Sequence, residues 1–243
     1  GIFAVTGALS CSLLFLISFC LPLIQLLIWS DIKMVFLSSD NIQLFINSSM
    51  LGFITALIIS CIALVLSLAY AGSGKMKSLI TLSTIGYALP GSVIAVGLLI
   101  TVNEIFGVSV TSLGIFGLII GLSLRFMTPA FQYLISALDN IPQSSKQALA
   151  TFPTSPYKAF KSLYLPSIRP ALLVAFLVVF IEVVKEQPAT LILRPVGFET
   201  LSSKIYNFTS EGQWELAANP SLLLVFLSFI LVYFLNKRLD ANE

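Results

Sequence analysis

Long apolar stretches alternate with short polar ones along the whole chain. A helix needs about 20 consecutive apolar residues to cross the hydrocarbon core of a bilayer. Six stretches reach or approach that length, and polar turns and two longer links separate them. They lie at roughly 2–29, 42–70, 78–101, 110–136, 167–187 and 218–236. The pattern therefore predicts an all-α, polytopic membrane protein with six transmembrane helices.

The composition supports a membrane protein and excludes several other classes. Hydrophobic residues make up 57% of the 243 residues, only 10% are charged, and the mean hydropathy is +0.99. Soluble domains carry about 25% charged residues. A net charge of +2 gives no basis for a nucleic-acid partner. Without histidine, and with Cys11, Cys20 and Cys61 inside apolar runs, neither a zinc site nor a disulfide framework is expected.

The distribution of lysine and arginine predicts the orientation. Cytoplasmic loops of membrane proteins carry an excess of these residues. One side of the predicted topology collects Lys75, Lys77, Lys146, Lys158, Lys161, Arg169, Lys237 and Arg238, against Lys33, Arg194 and Lys204 on the other, with Lys185 near a helix end. Both termini and the loop 137–166 are therefore expected in the cytoplasm, and the loop 188–217 outside it.

The stretch "GSGK" at residues 72–75 does not complete a nucleotide-binding loop. That motif requires G-x-x-x-x-G-K-[ST], but Ala69 stands at the first glycine and Met76 at the hydroxyl position. The carboxylates are scattered along the chain. No cofactor and no enzyme active site are therefore expected in this chain.

Residues 147–166, QALATFPTSPYKAFKSLYLP, form a half-polar stretch punctuated by proline. Pro142 suits the first turn of a helix that Pro153 would stop. Ser155 and Pro156 form a second helix start. The side chains that then recur at helical spacing are Tyr157, Phe160, Leu163 and Tyr164, and Leu165-Pro166 is expected to close the helix. Such a helix either rests on lipid headgroups or lies in the groove of a soluble partner, and the residues alone leave both open.

This stretch resembles the cytoplasmic EAA loop of ABC importer membrane subunits. That loop reads Glu-Ala-Ala, three residues, Gly, nine residues, a hydrophobic residue, any residue and Leu-Pro. The spacing is intact here, with two departures: Gln147-Ala148-Leu149 replaces Glu-Ala-Ala, and Pro153 replaces the glycine. Leu163 fills the hydrophobic position, and Leu165-Pro166 matches directly. The resemblance implies that these residues, with Tyr157 and Phe160, contact an ATPase.

A second resemblance is to the ferric-iron permeases of that superfamily. It rests on "EVVKEQPATLILRPVGFETLSSKIY" at residues 182–206, "YALPGSVIAVGLL" at 87–99 and "LRFMTPAFQ" at 124–132. Members often carry two such modules in one chain, so residues 1–243 are expected to form one module, the carboxy-terminal half of a longer permease. The implied fold is that of type I ABC importer permeases.

The resemblance also implies partners and a location. The expected assembly lies in the bacterial cytoplasmic membrane and contains two ABC ATPase subunits, which would hold ATP and magnesium. A second transmembrane module would complete the pore, as an identical chain, a paralogue or a fused half. A periplasmic or lipid-anchored solute-binding protein would deliver the cargo.

Charged residues inside the apolar runs are the remaining candidates for function. Glu182, Lys185 and Glu186 are spaced i, i+3 and i+4, which predicts one shared helix face. They form either a structural ion-pair cluster or part of the translocation path, in which Glu182 and Glu186 would be weak candidates for contact with a hard cation. Arg125 is expected to pair with a carboxylate or to cap backbone carbonyls, and a gate is a further hypothesis for it.

Three functions remain open from the sequence. The leading one is an ABC importer permease for ferric iron. The second keeps that machinery with thiamine, sulfate, a polyamine or a phosphonate as cargo. The third is an ion-driven secondary transporter, which would leave residues 147–166 without a role.

Overall fold

The computed structural model describes residues 2–72, 77–83, 85–145, 147 and 155–240. These residues are almost entirely helical and contain no β-strand, which confirms the all-α prediction. In chain order the α-helices are α1 (Ile2–Phe15), α2 (Leu21–Trp29), α3 (Ile32–Leu37), α4 (Ser39–Gly72), α5 (Lys77–Ser83), α6 (Gly91–Phe106), α7 (Ile115–Asp139), α8 (Pro156–Ala159), α9 (Leu165–Val184), α10 (Pro188–Leu193), α11 (Leu201–Ser210) and α12 (Trp214–Asp240).

Among the described residues, five continuous helical segments are long and apolar enough to cross a membrane, and they confirm five of the six predicted spans. Two of them include a π-helical turn, at Leu16–Cys20 and at Phe160–Tyr164. The five segments are Phe3–Trp29, Ser39–Ala71, Ile115–Asp139, Tyr157–Val184 and Trp214–Lys237.

The predicted third span, 78–101, is wrong as a single helix. The structure divides this region into α5, a 3-10 turn at Ile85–Ala88 and α6, which continues to Phe106. Pro90 explains the break, because it lacks an N–H and disfavours helical geometry at the residue before it. At 16 residues, α6 is shorter than the other spans. The predicted third crossing is therefore divided into shorter helical pieces.

The core lies where α4, α7 and α9 pack against one another. The largest fully buried side chains include Ile59 of α4 and Phe126 of α7. On α9, Phe180 packs directly over Gly52 of α4, where a Cβ would approach its ring to 2.5 Å. The two helices can therefore approach closely at this glycine. This three-helix core fixes the relative positions of the side chains described next.

The first helical segment stands apart from this core. None of the residues in its most apolar window is buried, and its second half, α2, packs along α12. Its exposed side chains are almost all apolar. In a bilayer such a surface faces lipid or another transmembrane element at no cost in unsatisfied backbone groups.

Candidate functional site

The described part of the EAA-like segment begins with a capped helix. The backbone N–H of Lys158 donates to Ser155 Oγ at 3.3 Å, and that of Ala159 donates to the Ser155 carbonyl at 3.0 Å. The predicted helix start at Ser155-Pro156 is thus confirmed. Gln147 is helical and exposed. Ala148, Leu149 and Pro153, which were expected to take part in the same loop, lie outside the described residues.

The expectation that Leu165-Pro166 ends this helix is wrong. The chain continues from α8 through the π-helical turn Phe160–Tyr164 into α9 without a break. The Leu165 N–H bonds to the Phe160 carbonyl, five residues back, which is the wider spacing of a π-turn. Pro166 therefore falls at the start of α9, where the absence of its N–H is tolerated. The described end of the EAA-like segment and the fifth span therefore form one helical rod, Pro156–Val184.

The side chains of this rod point in different directions. Leu163 and Tyr164 pack against a small buried cluster of Leu138, Ile141 and Ile168 near the end of α7. Phe160 is half-buried, whereas Tyr157 is 71% exposed. The predicted aromatic face is thus divided between two environments. Leu163 and Tyr164 pack against the core, whereas Tyr157 is exposed.

Glu182 and Lys185 form an ion pair at the other end of α9. Lys185 Nζ lies 2.7 Å from Glu182 Oε1, and both side chains are partly exposed. The helix ends at Val184 and Lys185 is its C-cap. This i, i+3 pair agrees with the predicted spacing.

Glu186 departs from the predicted shared face, and that expectation is wrong for this residue. Because the helix has already ended, the backbone turns the Glu186 side chain into the protein, where it is 5% exposed. Its Oε1 accepts a hydrogen bond from the Ala189 N–H at 2.8 Å and lies 3.6 Å from Arg125 Nη1. The expectation that Arg125 pairs with a carboxylate is confirmed.

Gly91, at the start of α6, completes this site and was missed by the sequence reasoning. A Cβ at this position would overlap both Arg125 Nη1 and Glu186 Oε1. The ion pair thus joins α7, the α9–α10 turn and the broken third crossing at one point. The signal was the Leu89-Pro90-Gly91 break, which places a residue without a side chain directly after the proline.

The region predicted as the loop 188–217 is mostly helical and firmly attached. Thr200 caps α11 through a capping box with Ser203. The Leu201 N–H donates to Ser48 Oγ at 2.8 Å, and Asn47 Nδ2 donates to the Glu199 carbonyl at 2.9 Å. Asn47 and Ser48 are polar residues inside an apolar run, and they were the available sequence signal for this attachment.

A charged network also organises the connection between α10 and α11. Glu199 forms two ion pairs: its Oε1 lies 3.2 Å from Arg194 Nη1, and its Oε2 lies 3.1 Å from Lys204 Nζ. Asn207 Nδ2 donates to the same carboxylate at 2.9 Å. The connection also carries Val196, fully exposed beside Gly197, whose φ of +83° requires the left-handed region.

Glu182 and Glu186 are not brought together as paired metal ligands. Each carboxylate is engaged by its own cation, Lys185 or Arg125. In the part of the chain that the structure describes, no group of three or more Cys, Asp or Glu residues is placed to hold a metal ion. The hypothesis that these residues line a path remains a prediction.

Comparison with known proteins gives a family for this architecture. Residues 76–242 match the family described as "Binding-protein-dependent transport system inner membrane component". The chain is 28% identical over 239 residues to the Fe(3+)-transport system permease protein FbpB 2 of Haemophilus influenzae. It is 30% identical over 122 residues to the ferric transport system permease protein FbpB of Actinobacillus pleuropneumoniae. These alignments cover 93% and 50% of this chain, but only 46% and 18% of the relatives, so the chain spans less than half of their length.

Solved structures share the fold at lower sequence identity. A bacterial alginate ABC transporter, crystallised with an alginate-bound periplasmic protein, has a chain that aligns with a TM-score of 0.74 and 15% identity over 97% of this chain and 93% of that chain. The MetNI methionine ABC transporter in inward-facing conformations aligns with a TM-score of 0.68 and 18% identity, over 87% of this chain and 99% of that one. The predicted fold of an ABC importer permease is confirmed, and the chain belongs to the family of binding-protein-dependent transport system inner membrane components.

Proposed function

We propose that this chain is the transmembrane module of an ATP-driven importer for ferric iron. The proposal rests on the family match and on relatives whose names specify ferric transport. One structural observation supports coupling between an ATPase and the membrane helices: an unbroken helical rod joins the exposed Tyr157 to the transmembrane core. We place the module, residues 1–243, in the bacterial cytoplasmic membrane with both termini in the cytoplasm, as the lysine and arginine distribution predicts.

The rod gives a mechanical account of coupling. From Pro156 to Val184 it has 29 residues, and at 1.5 Å per residue it is about 43 Å long. An ATPase subunit that binds at Tyr157 and moves on ATP closure displaces the rod as a nearly rigid body. Since α9 packs against both α4 and α7, that displacement reaches the whole core. The loop 137–166 is therefore proposed as the coupling loop.

The partners follow from the same proposal. Two ATPase subunits bind ATP and magnesium and perform hydrolysis, so this chain needs no cofactor of its own. A second transmembrane module, whether an identical chain, a paralogue or another part of a longer permease, completes the pore. A solute-binding protein docks at residues 188–217, where the Glu199 network fixes the backbone that presents Val196.

The charged residues near the end of α9 belong to this proposal as part of the path. Glu182 with Lys185, and Glu186 with Arg125, form two neutralised pairs, one partly exposed and one largely buried. The buried pair joins three elements at Gly91, so it can resist or permit movement of α7 against the α9–α10 turn.

The function is tested by uptake of radiolabelled ferric iron in cells with and without the intact transporter, with ATP supply and proton-motive force varied separately. Uptake that requires this chain and ATP is expected. ATP-dependent uptake of thiamine or an oxyanion instead of iron would overturn the cargo but keep the importer. Uptake driven by proton-motive force alone would overturn the ATP-driven mechanism.

Two variants in the rod separate coupling from folding. Tyr157→Ala removes an exposed aromatic side chain, so we expect weaker co-purification of the ATPase, by about tenfold or more, with an unchanged melting temperature. Leu163→Ala removes a side chain that packs on the core cluster, so it is expected to lower the stability by about 2 kcal/mol. Equal ATPase binding by wild type and Tyr157→Ala would exclude Tyr157 as a contact.

A further inference from the structure

Exposed polar side chains share one face in the second half of α7. Gln132, Tyr133 and Ser136 are all exposed, and they are spaced i, i+1 and i+4. Arg125 lies on the same side, about two turns before Gln132 and about three turns before Ser136, since 3.6 residues make a turn. Among the described residues, none of these three side chains makes a hydrogen bond to another group. Such side chains do not face lipid.

The depth of these residues excludes a simple position at the membrane surface. The midpoint of α7 is Met127, so Gln132 lies about 8 Å and Ser136 about 14 Å beyond it along the axis. Half of the hydrocarbon thickness is about 15 Å. Gln132 and Tyr133 therefore lie well inside the hydrocarbon region when the helix spans it symmetrically.

Two clefts open along this same face. One, of 380 Å³, is lined by Tyr87, Gln132, Tyr133 and Val178 among others. The second, of 460 Å³, extends from Tyr133 and Ser136 toward Asn140 and Ser167. Because both clefts share Tyr133 and Ser136, they form one continuous concave wall between α7, α9 and the 3-10 turn that carries Tyr87.

We propose that this wall is the membrane portion of the translocation path and that it passes a cargo of low net charge. This inference rests on the proposed function and adds the residues and the chemical class. The wall offers phenol, amide and hydroxyl groups, and none of the described residues lining either cleft carries a formal charge. Two ion pairs lie farther along α7 and α9, Arg125–Glu186 and Glu182–Lys185, and each contains one cation and one carboxylate.

The charge of the cargo follows from electrostatics. The cost of transferring an ion out of water rises with the square of its charge, and it is already large for a single charge. Neutral dipoles do not compensate a trivalent cation, so ferric iron crosses this wall together with anionic ligands that neutralise it. Hydroxyl and amide groups hydrogen-bond to the ligands or hydration water of such a complex and release them readily.

The wall is tested by the reactivity of single cysteines in the full transporter after Cys11, Cys20 and Cys61 are replaced by alanine. The positions are Gln132→Cys, Tyr133→Cys and Ser136→Cys. Matched controls are Ile120→Cys and Leu124→Cys, which are 46% and 49% exposed, lie within about 11 Å of the helix midpoint in the other half of α7 and face its other, apolar side. A charged methanethiosulfonate reacts only with thiols that reach water and is applied to both sides of the membrane.

We expect the three wall positions to react at least about tenfold faster than the two controls. At Ser136→Cys, cationic and anionic reagents of equal size are expected to react at rates within about threefold of each other. Wall positions as unreactive as the controls would overturn the aqueous path, and a strong preference for the cationic reagent would overturn the neutral cargo.

The same preparation distinguishes this inference from the proposed function. If the ATPase co-purifies and hydrolyses ATP while the wall cysteines stay unreactive, the inference fails and the importer stands. If the wall reacts but no ATPase binds, the water-filled wall stands and the ATP-driven function fails.

Discussion

At the scale of single residues, Gly91 lies in close contact with both members of the Arg125–Glu186 ion pair, where three elements of the fold meet. The guanidinium of Arg125 is only 21% exposed, and its Nε and Nη1 have no hydrogen-bond partner among the described residues. Its charge is balanced chiefly by Glu186 and by the face of the Phe126 ring, 5.4 Å away. A small change at this point therefore has a large effect on the fold.

Gly91→Ala is expected to destabilise the protein by about 1–3 kcal/mol, because the added methyl group displaces both members of the ion pair. Gly97→Ala, two turns along α6, is the matched control, since its Cβ meets nothing within 4 Å. We expect the control to be neutral or to stabilise by about 1 kcal/mol or less. Thermal unfolding in detergent compares the two, and equal melting temperatures would contradict the close contact at Gly91.

Glu186→Gln is expected to cost more stability than Glu182→Gln. The former leaves the Arg125 charge largely buried and unpaired, at about 2 kcal/mol after allowance for its partial exposure. The latter removes a partly exposed pair that contributes about 1 kcal/mol or less. Thermal unfolding measures both, and a larger loss for Glu182→Gln would contradict the observed burial.

The double variant Arg125→Met with Glu186→Leu decides whether the buried pair is structural or takes part in transport. Replacement of both partners by apolar groups removes the unpaired charge, so the stability is expected to recover. Iron uptake that recovers with it would show a purely structural pair. Recovered stability without uptake would assign the pair to the transport cycle.

At the scale of elements, proline and polar caps decide where helices end, and two prolines act in opposite ways. Pro90 interrupts the third crossing, whereas Pro166 begins α9 within a continuous rod because a π-turn precedes it. The connection between α10 and α11 is held instead by charge. Burial alone would raise the pKa of Glu199, but hydrogen bonds and charges from Lys204 and Arg194 outweigh it and lower that pKa below its ordinary value of 4.5.

The Glu199 network predicts a loss of order in acid. Since the folded-state pKa is lowered, the stabilisation is complete above the ordinary value of 4.5 and is lost as the pH falls through the lower folded value. The hydrogen-exchange protection factors of residues 194–210, which remove the intrinsic pH dependence of exchange, are expected to be constant between pH 5 and 8 and to fall in more acidic solution. Glu199→Gln should exchange faster at neutral pH and show a weaker acid dependence; an equally steep acid dependence in this variant would contradict the assignment.

At the scale of the whole molecule, stability is concentrated in the α4–α7–α9 core, while the first helical segment contributes no buried residue to it. The buried faces of the core helices and the exposed faces of α1 and α7 therefore have different roles. The core faces fix the fold, and the exposed faces of α1 and α7 are available to lipid, water or a second module.

Replacement of residues 3–15 by leucine tests this division. Because these side chains are not buried, we expect the melting temperature of the chain in lipid nanodiscs to change by no more than about 4 °C. As a control, Leu227→Ala in α12 removes a core side chain and is expected to cost about 2–5 kcal/mol. A large loss in the leucine variant would show that α1 packs specifically within this chain.

The sequence alone determined the membrane class and five of the six spans, because these depend on the length of local apolar runs. It also identified Arg125, Glu182, Lys185 and Glu186 as charges that need partners. Their pairing depends on where α9 ends and on which helices meet at Gly91, so only the tertiary structure decided it. The same holds for Leu163 and for the polar face of α7, because the packing of neighbouring helices decides which side chains are buried and which remain exposed.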